Sequence, residues 1–300
     1  MTPVRTDDSP DDLTQAAEQF ASCRRRLFGI AYRMLGSVSD AEDILQEVWI
    51  RWQTTPRDTV REPIAFLTTI TTRLSINLLQ SARVRRETYI GPWLPEPVNT
   101  EDDPALGAER GEALQYAVLL LLEKLSPTER AAYVLREALD YPYERIAEIV
   151  QGTVPAARQL VSRARKHLVS PRSSSVSTAD QRRLLEAFLS AAQRGEAEAL
   201  EQLFAADIVS YSDGNGVKLA ARIPVVGASR VAKFVAAFSG HFWVGKQIDW
   251  VEVNGQPAVT LSEGGAVTTA LTLTASADGI QHLLWIMSPD KLHHVTSGGE

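Results

Sequence analysis

Arg158, Gln159, Ser162, Arg163 and Lys166 recur at a spacing that puts all five on one face of a helix. Ala157, Leu160, Val161, Ala164 and Leu168 fall on the other face. An arginine can grip guanine with two hydrogen bonds and a glutamine can do the same to adenine. Ser162 and Lys166 suit phosphate oxygens. From Thr153 to Ala179 there are five Lys/Arg and no acid, inside a chain of net charge −6. A locally basic helix on an acidic body points to a polyanion, and its ordinary alternative is a solvated helical face. The segment just before it, Tyr143–Val150, reads as a short helix with Ile146, Ala147 and Val150 inward. Gln151-Gly152-Thr153 then turns, with Gly152 expected at positive φ and Thr153 capping the next helix. Two helices joined this way form a helix-turn-helix.

Other residue sets carry different chemistry. Asp40, Asp43, Gln46, Glu47 and Trp52 follow an expected capping box, Ser39-Asp40-Ala41-Glu42, and would combine acids with an amphipathic ring, as protein interfaces do. Trp49 reads as core. Arg83, Arg85 and Arg86 form a basic cluster suited to a single-stranded backbone, and before them Arg73 and Asn77 lie one helical turn apart, where they could reach base or phosphate. Asp213, His241, Asp249 and His282 are the candidates for acid–base work. None comes with a nucleophile, a metal-binding cluster or a phosphate loop, so no enzyme activity, cofactor or metal site is expected.

The elements that must position these residues follow from texture. The 300 residues are 44% hydrophobic and 23% charged, which describes a folded soluble chain of two or three domains. One cysteine allows no internal disulfide, and no run is apolar enough to span a bilayer, so no membrane role and a cytoplasmic location are expected. Residues 13–90 read as helical. Residues 91–112 hold prolines and acids without a period and read as a linker. Residues 113–169 are helical again, with a capping box and a first-turn proline at Ser126-Pro127-Thr128-Glu129. Residues 170–178 read as a serine-rich joint. Residues 179–293 begin with two helices, the first capped at Thr178. They continue as a meander of about four strands, with turns at Asp213–Gly216, Asn254–Pro257, Gly264–Gly265 and Asp278–Gly279. Val267, Thr269, Leu271 and Leu273 predict a strand with one apolar face. The fold class is therefore multidomain: two all-α domains and a C-terminal α+β domain.

The runs Phe28-Gly-Ile-Ala-Tyr-Arg-Met-Leu-Gly-Ser37, Asp40-Ala-Glu-Asp43 and Gln46-Glu47-Val-Trp-Ile-Arg-Trp52 resemble region two of extracytoplasmic-function sigma factors. Leu125-Ser-Pro-Thr-Glu-Arg130, Ile146-Ala-Glu-Ile149 and Arg158-Gln-Leu-Val-Ser-Arg-Ala-Arg165 resemble their region four. Trp93-Leu-Pro-Glu-Pro97, Asp213-Gly-Asn-Gly216 and Pro289-Asp-Lys-Leu292 resemble the subgroup that carries a SnoaL-like C-terminal domain. The resemblance implies an alternative sigma factor whose partners are bacterial core RNA polymerase and promoter DNA, with a cone-shaped C-terminal barrel regulating it in cis. It places Asp40, Asp43, Gln46, Glu47 and Trp52 on core polymerase. Arg73, Asn77, Arg83, Arg85 and Arg86 then serve the minus-ten element, and Arg158, Gln159, Ser162, Arg163 and Lys166 the minus-thirty-five element. Trp93, Pro95, Glu96, Asp213, Lys218, Asp290 and Lys291 would make the cis-regulatory contact, with the WLPEP stretch docked near Asp213 and Lys291. The cone also offers room for a small-molecule ligand. Asn77, Gln80 and Asn215 depart from the family pattern. Lys218 comes one place late, which in a strand would turn it to the opposite face. The alternative is a one-component helix-turn-helix regulator with a ligand-binding cone. It leaves the acidic helix at 40–52 and the basic cluster at 83–86 unassigned.

Overall fold

The computed structural model describes residues 10–86, 89–100, 116–168, 176–293 and 295. They fall into two compact units, one built from 1–82 and 125–165, the other from 83–124 and 166–300. This division differs from the boundaries expected at 91, 113 and 170, because residues 89–100 and the helix at 116–122 pack with the C-terminal sheet.

In the first unit, α1 (Pro10–Leu35), α2 (Val38–Thr54) and α3 (Pro63–Arg86) supply the longest helices. The cap of α2 is Ser37, whose hydroxyl accepts from the Asp40 N–H, two residues before the expected start at Ser39. Leu27, Ile30, Met34, Ala41, Leu45, Val48, Trp52 and Leu67 are buried, each large one stabilising the fold by roughly 1.5–3 kcal/mol. The buried face of α3 also carries Thr68, Thr71, Thr72 and Ser75. The hydroxyls of Thr71, Thr72 and Ser75 donate to carbonyls one turn back, so they enter the core without unpaired polar groups.

The same unit holds the second helical group. Its α5 (Pro127–Tyr133) has the expected reciprocal capping box at Ser126 and Glu129. A π-helical turn (Val134–Ala138) leads to α6 (Tyr143–Ile149) and α7 (Val154–Leu168). Ala132, Leu135, Ile146, Ala147, Ile149, Ala157 and Val161 form one apolar cluster that fixes α6 against α7. The turn between them places the positive φ at Gln151 (57°), not at Gly152. Thr153 caps α7 as expected, accepting from the Ala156 N–H at 3.3 Å.

In the second unit, α8 (Thr178–Arg194) is capped by Ser177, one residue before the expected Thr178, and ends at Gly195. There φ is 70°, and an added Cβ would come 2.6 Å from the Ser239 hydroxyl oxygen. After α9 (Ala197–Leu203) come β1 (Phe204–Asp213), β2 (Val225–Val226), α10 (Ala228–Ala237), α11 (Ser239–Phe242), β3 (Gln247–Val253), β4 (Gln256–Glu263), β5 (Ala266–Ser276), β6 (Gly279–Ile286) and α12 (Pro289–Leu292). The sheet is six-stranded rather than four-stranded, in the order β2-β1-β6-β5-β4-β3. β1 runs parallel to β6, and the remaining pairs are antiparallel.

Both faces of this sheet are covered. On one, Leu271, Leu273, Leu283 and Trp285 pack with Phe188, Leu200 and Val231 of the helices. On the other, Ala258, Ala270, Leu284 and Ile286 pack with Leu94 and with Tyr116 of α4 (Tyr116–Leu122). The apolar face expected of β5, with Leu271 and Leu273, is in the core, but the opposite face, with Ala270, Thr272 and Thr274, is buried as well. Residues 89–100 and α4 supply cover on that side, and the Thr272 and Thr274 hydroxyls are hydrogen-bonded there.

Candidate functional site

The best-defined polar site lies in the second unit, at the end of β1. The Asp213 carboxylate is fully buried. Its Oδ1 accepts from the Tyr89 hydroxyl, and its Oδ2 accepts from the Leu94 N–H and the Lys291 ammonium, each at 2.6 Å. Lys291 Nζ also donates to the Leu94 carbonyl at 2.5 Å and sits 4.1 Å from the Trp93 ring centroid. Burial first, and the Asp213 carboxylate second, push the Tyr89 hydroxyl far above its ordinary pKa, so it is a neutral donor to that carboxylate. The motif folds this way for local reasons. A Cβ on Gly214 would come 2.4 Å from the Ala220 Cβ, so the chain leaving Asp213 passes where only glycine fits. The Asp213 carbonyl accepts from the Met287 and Ser288 N–H groups at 2.6 and 2.9 Å, which brings Lys291 of α12 to the carboxylate.

Farther along, Tyr116 donates its hydroxyl to the Pro95 carbonyl, and Val98 exchanges hydrogen bonds with Asn254. Thr100 N–H reaches the Glu252 carbonyl at 3.0 Å, so the segment ends as a short extension beside β3. Of the residues named from the sequence, the structure puts Trp93 and Lys291 beside Asp213, while the Pro95 carbonyl faces Tyr116 and Glu96 is buried farther along the segment. Asp290 is exposed next to Lys291 and adds negative charge near Tyr89. Lys218 does not join. It sits exposed in a turn rather than in a strand, and no described residue pairs with it. Tyr89 was missed by the sequence reading, which placed Asn215 and Asn254 at turns without their contacts to residues 89–100. Asn215 takes φ of 43° and accepts from the Ile90 N–H at 3.4 Å, and Asn254 takes φ of 56°. Asparagine in a glycine-like turn was the available signal.

In the first unit, Arg158, Gln159, Ser162, Arg163 and Lys166 are all exposed on α7. The Arg158 guanidinium lies 5.5 Å from the Tyr143 ring centroid, and Arg163 is 3.5 Å from Glu129. Those contacts orient the two arginines without burying them. On α2, Asp43 and Gln46 are exposed, while Asp40 and Glu47 are half-buried. Glu47 pairs with Arg51 at 2.8 Å. Trp52 is a correction. It is fully buried, its indole N–H donates to the Ala16 carbonyl at 3.2 Å, and it can offer no surface to a partner. Ile50, 49% exposed one turn after Gln46 and Glu47, supplies the apolar element of that face instead. Trp49 is half-buried against Phe20.

Arg73 and Asn77 are exposed on α3, but Arg73 is engaged: its Nε and Nη2 donate to the Ile149 and Glu148 carbonyls at 3.1 and 2.9 Å. These carbonyls close the C-terminal end of α6, where a cation is favoured. The backbone of α3 continues through Arg83, Arg85 and Arg86, whose side chains lie outside the described ones.

The four acid–base candidates do not converge. Asp213 is saturated by donors, His241 and Asp249 are exposed on α11 and β3, and His282 Nδ1 lies 2.7 Å from the Thr274 hydroxyl. Among the described residues no His/Cys/Asp/Glu group could hold a metal ion, and no helix is long and apolar enough to cross a membrane.

Comparison with known proteins bears on all three surfaces. Residues 20–85 match the family model described as Sigma-70 region 2, and residues 115–168 match Sigma-70, region 4. The ECF RNA polymerase sigma factor SigJ of Mycobacterium tuberculosis is 34% identical over 289 residues, covering 91% of this chain and 92% of that protein. "Probable ECF RNA polymerase sigma factor SigI" of the same species is 29% identical over 273 residues, covering 90% and 92%. The crystal structure of M. tuberculosis SigJ superposes with a TM-score of 0.74 at 30% identity, covering 93% of this chain and 99% of that one.

Proposed function

This chain belongs to the extracytoplasmic-function sigma factors and is an alternative sigma factor of RNA polymerase, and from that premise we propose how its surfaces divide the task. Sigma factors bind core RNA polymerase and promoter DNA as initiation factors, not enzymes. The region-two match over 20–85 accounts for the helices that a one-component regulator would leave without a role.

The exposed ridge of α2, with Asp43, Gln46, half-buried Asp40 and Glu47, and Ile50, is the surface we assign to core polymerase. An apolar centre rimmed by charge is the composition such an interface uses. Arg158, Gln159 and Arg163 read base edges of the minus-thirty-five element, with Ser162 and Lys166 on phosphates. Asn77, Arg83, Arg85 and Arg86 serve the melted minus-ten strand, and Arg73 joins them once it leaves the α6 carbonyls. The chain acts in the cytoplasm, with the polymerase.

The C-terminal domain regulates in cis by holding residues 89–100, the stretch that follows the minus-ten helix. The observation that carries this is the buried Asp213 carboxylate bonded to Tyr89, Leu94 and Lys291. A segment fixed at both ends of its length, at Asp213 and at Asn254, sets where the chain leaves region two and enters region four. Run-off transcription with reconstituted holoenzyme tests it, using the full chain beside Asp213→Ala. The reading requires a changed yield of transcript at unchanged binding to core polymerase. Equal yields from both proteins, with the segment demonstrably released in the variant, would rule it out.

A further inference from the structure

We propose that Tyr143 is a positioning residue for promoter readout: its ring holds the Arg158 guanidinium in place and leaves the N–H fork of that arginine free for a base. The inference deepens the reading of Arg158 as a base contact and rests on it.

Three arginines of α7 are restrained in different ways. Arg165 spends its Nε and Nη2 donors on the Glu137 carboxylate, at 3.1 and 2.7 Å. Arg163 Nε lies 3.5 Å from a Glu129 carboxylate oxygen. Arg158 has no hydrogen bond or ion pair to any described residue, and its guanidinium carbon sits 5.5 Å from the Tyr143 ring centroid. The difference matters for reading DNA. An ion pair restrains a guanidinium by occupying donors that guanine O6 and N7 would need. An aromatic ring attracts the same cation through its quadrupole and leaves those donors available. Of these three side chains, Arg158 alone is restrained without an acid.

The ring is itself held. Pro142, just before Tyr143, fixes the entry to α6 at φ of −66°. Tyr143 packs on the apolar cluster that joins α6 to α7, so it is anchored to the helix whose arginine it meets. Arg136 lies 5.2 Å from the same ring centroid. That guanidinium is tied to the Tyr141 carbonyl at 2.9 Å and to the Asp140 carboxylate at 3.0 Å. Asp140 takes φ of 50°, and the Tyr141 N–H bonds back to the Leu135 carbonyl at 3.0 Å. A long exposed arginine loses side-chain freedom when it grips a base, and one restrained beforehand loses less.

The test is equilibrium binding of holoenzyme, assembled with the full chain, to a matched promoter and to single substitutions across its minus-thirty-five element. Tyr143→Leu keeps an apolar side chain for the cluster and removes the ring. It should weaken the matched promoter about two- to fivefold and relax the choice at the same base pair as Arg158→Ala. Tyr143→Phe keeps the ring and should bind as the native chain does. In the Arg158→Ala background, Tyr143→Leu should add nothing, since two residues acting through one contact are not additive. Native-like binding and base choice with Tyr143→Leu overturns the proposal, as does an undiminished further loss on Arg158→Ala. Should Tyr143→Leu not fold, pentafluorophenylalanine at position 143 takes its place, because fluorination removes the negative face of the ring at nearly the same shape. Weaker binding than Tyr143→Phe then supports the proposal, and equal binding overturns it. The Arg158→Ala arm separates the two failures. If that substitution leaves base choice intact, the base-reading role itself falls and Tyr143 has nothing to position.

Discussion

Asp213 shows what a single carboxylate can organise when it is buried. It neutralises Lys291, which is itself 5% exposed, and it takes a backbone N–H and a phenol from the segment it holds. Removing the carboxylate leaves a buried ammonium without its counter-charge, a change that costs about 3–5 kcal/mol. Asp213→Ala should therefore lower the urea midpoint of the C-terminal domain, and an unchanged midpoint would show the pair to be energetically idle. On α7 the base contact we propose is Arg158, exposed and steadied by Tyr143. Arg158→Ala should weaken promoter binding by about 1–3 kcal/mol and relax the preference at one base pair. Equal weakening on matched and mismatched promoters would instead assign it to a phosphate. At this scale the sequence was informative where spacing carried meaning, as on α7. It misled at Trp52, because an acidic helix with two tryptophans does not say which ring turns inward. Tyr89 was invisible, since nothing local marks a tyrosine as the partner of a residue 124 positions away.

Secondary-structure elements were legible when their signals were local. The capping box at Ser126, the glycine turns at Gly255 and Gly264–Gly265 and the 3.6-residue period of α7 needed only neighbouring residues. The strand count and the second covered face of β5 were not legible, because they depend on Leu94 and Tyr116 arriving from far along the chain. That second face has a pH dependence of its own. His282 on β6 is pushed below its ordinary pKa, chiefly by burial and then by Lys124, with Asp207 opposing. A folded-state value below the unfolded one means the neutral ring contributes its full stability above about pH 6.5. That contribution is lost as pH falls through the folded value. Between about pH 7.5 and pH 5, thermal melts of the native protein should fall more steeply than those of His282→Gln. Parallel slopes would remove His282 from the account.

For the whole molecule, the sequence identified three functional zones but drew their borders at changes of composition. The structure draws them by packing. The proline-bearing stretch that reads as a linker docked through its WLPEP motif is, over residues 89–100, part of the wall of the C-terminal domain. Its prolines and Trp93 make it stiff before docking, which lowers the entropy lost on being held. On the function proposed above, a sigma factor with such a segment between its two DNA-binding regions carries its own regulator. The most direct measurement is permanganate footprinting of promoter opening by holoenzyme assembled with the native chain or with Trp93→Ala, at matched occupancy of core polymerase. Trp93 is half-buried over Lys291, so the variant should keep its fold and loosen the segment. A several-fold change in reactive thymines around the minus-ten element is the predicted result. Identical reactivity, with proteolysis showing residues 89–100 released, would contradict regulation through this segment.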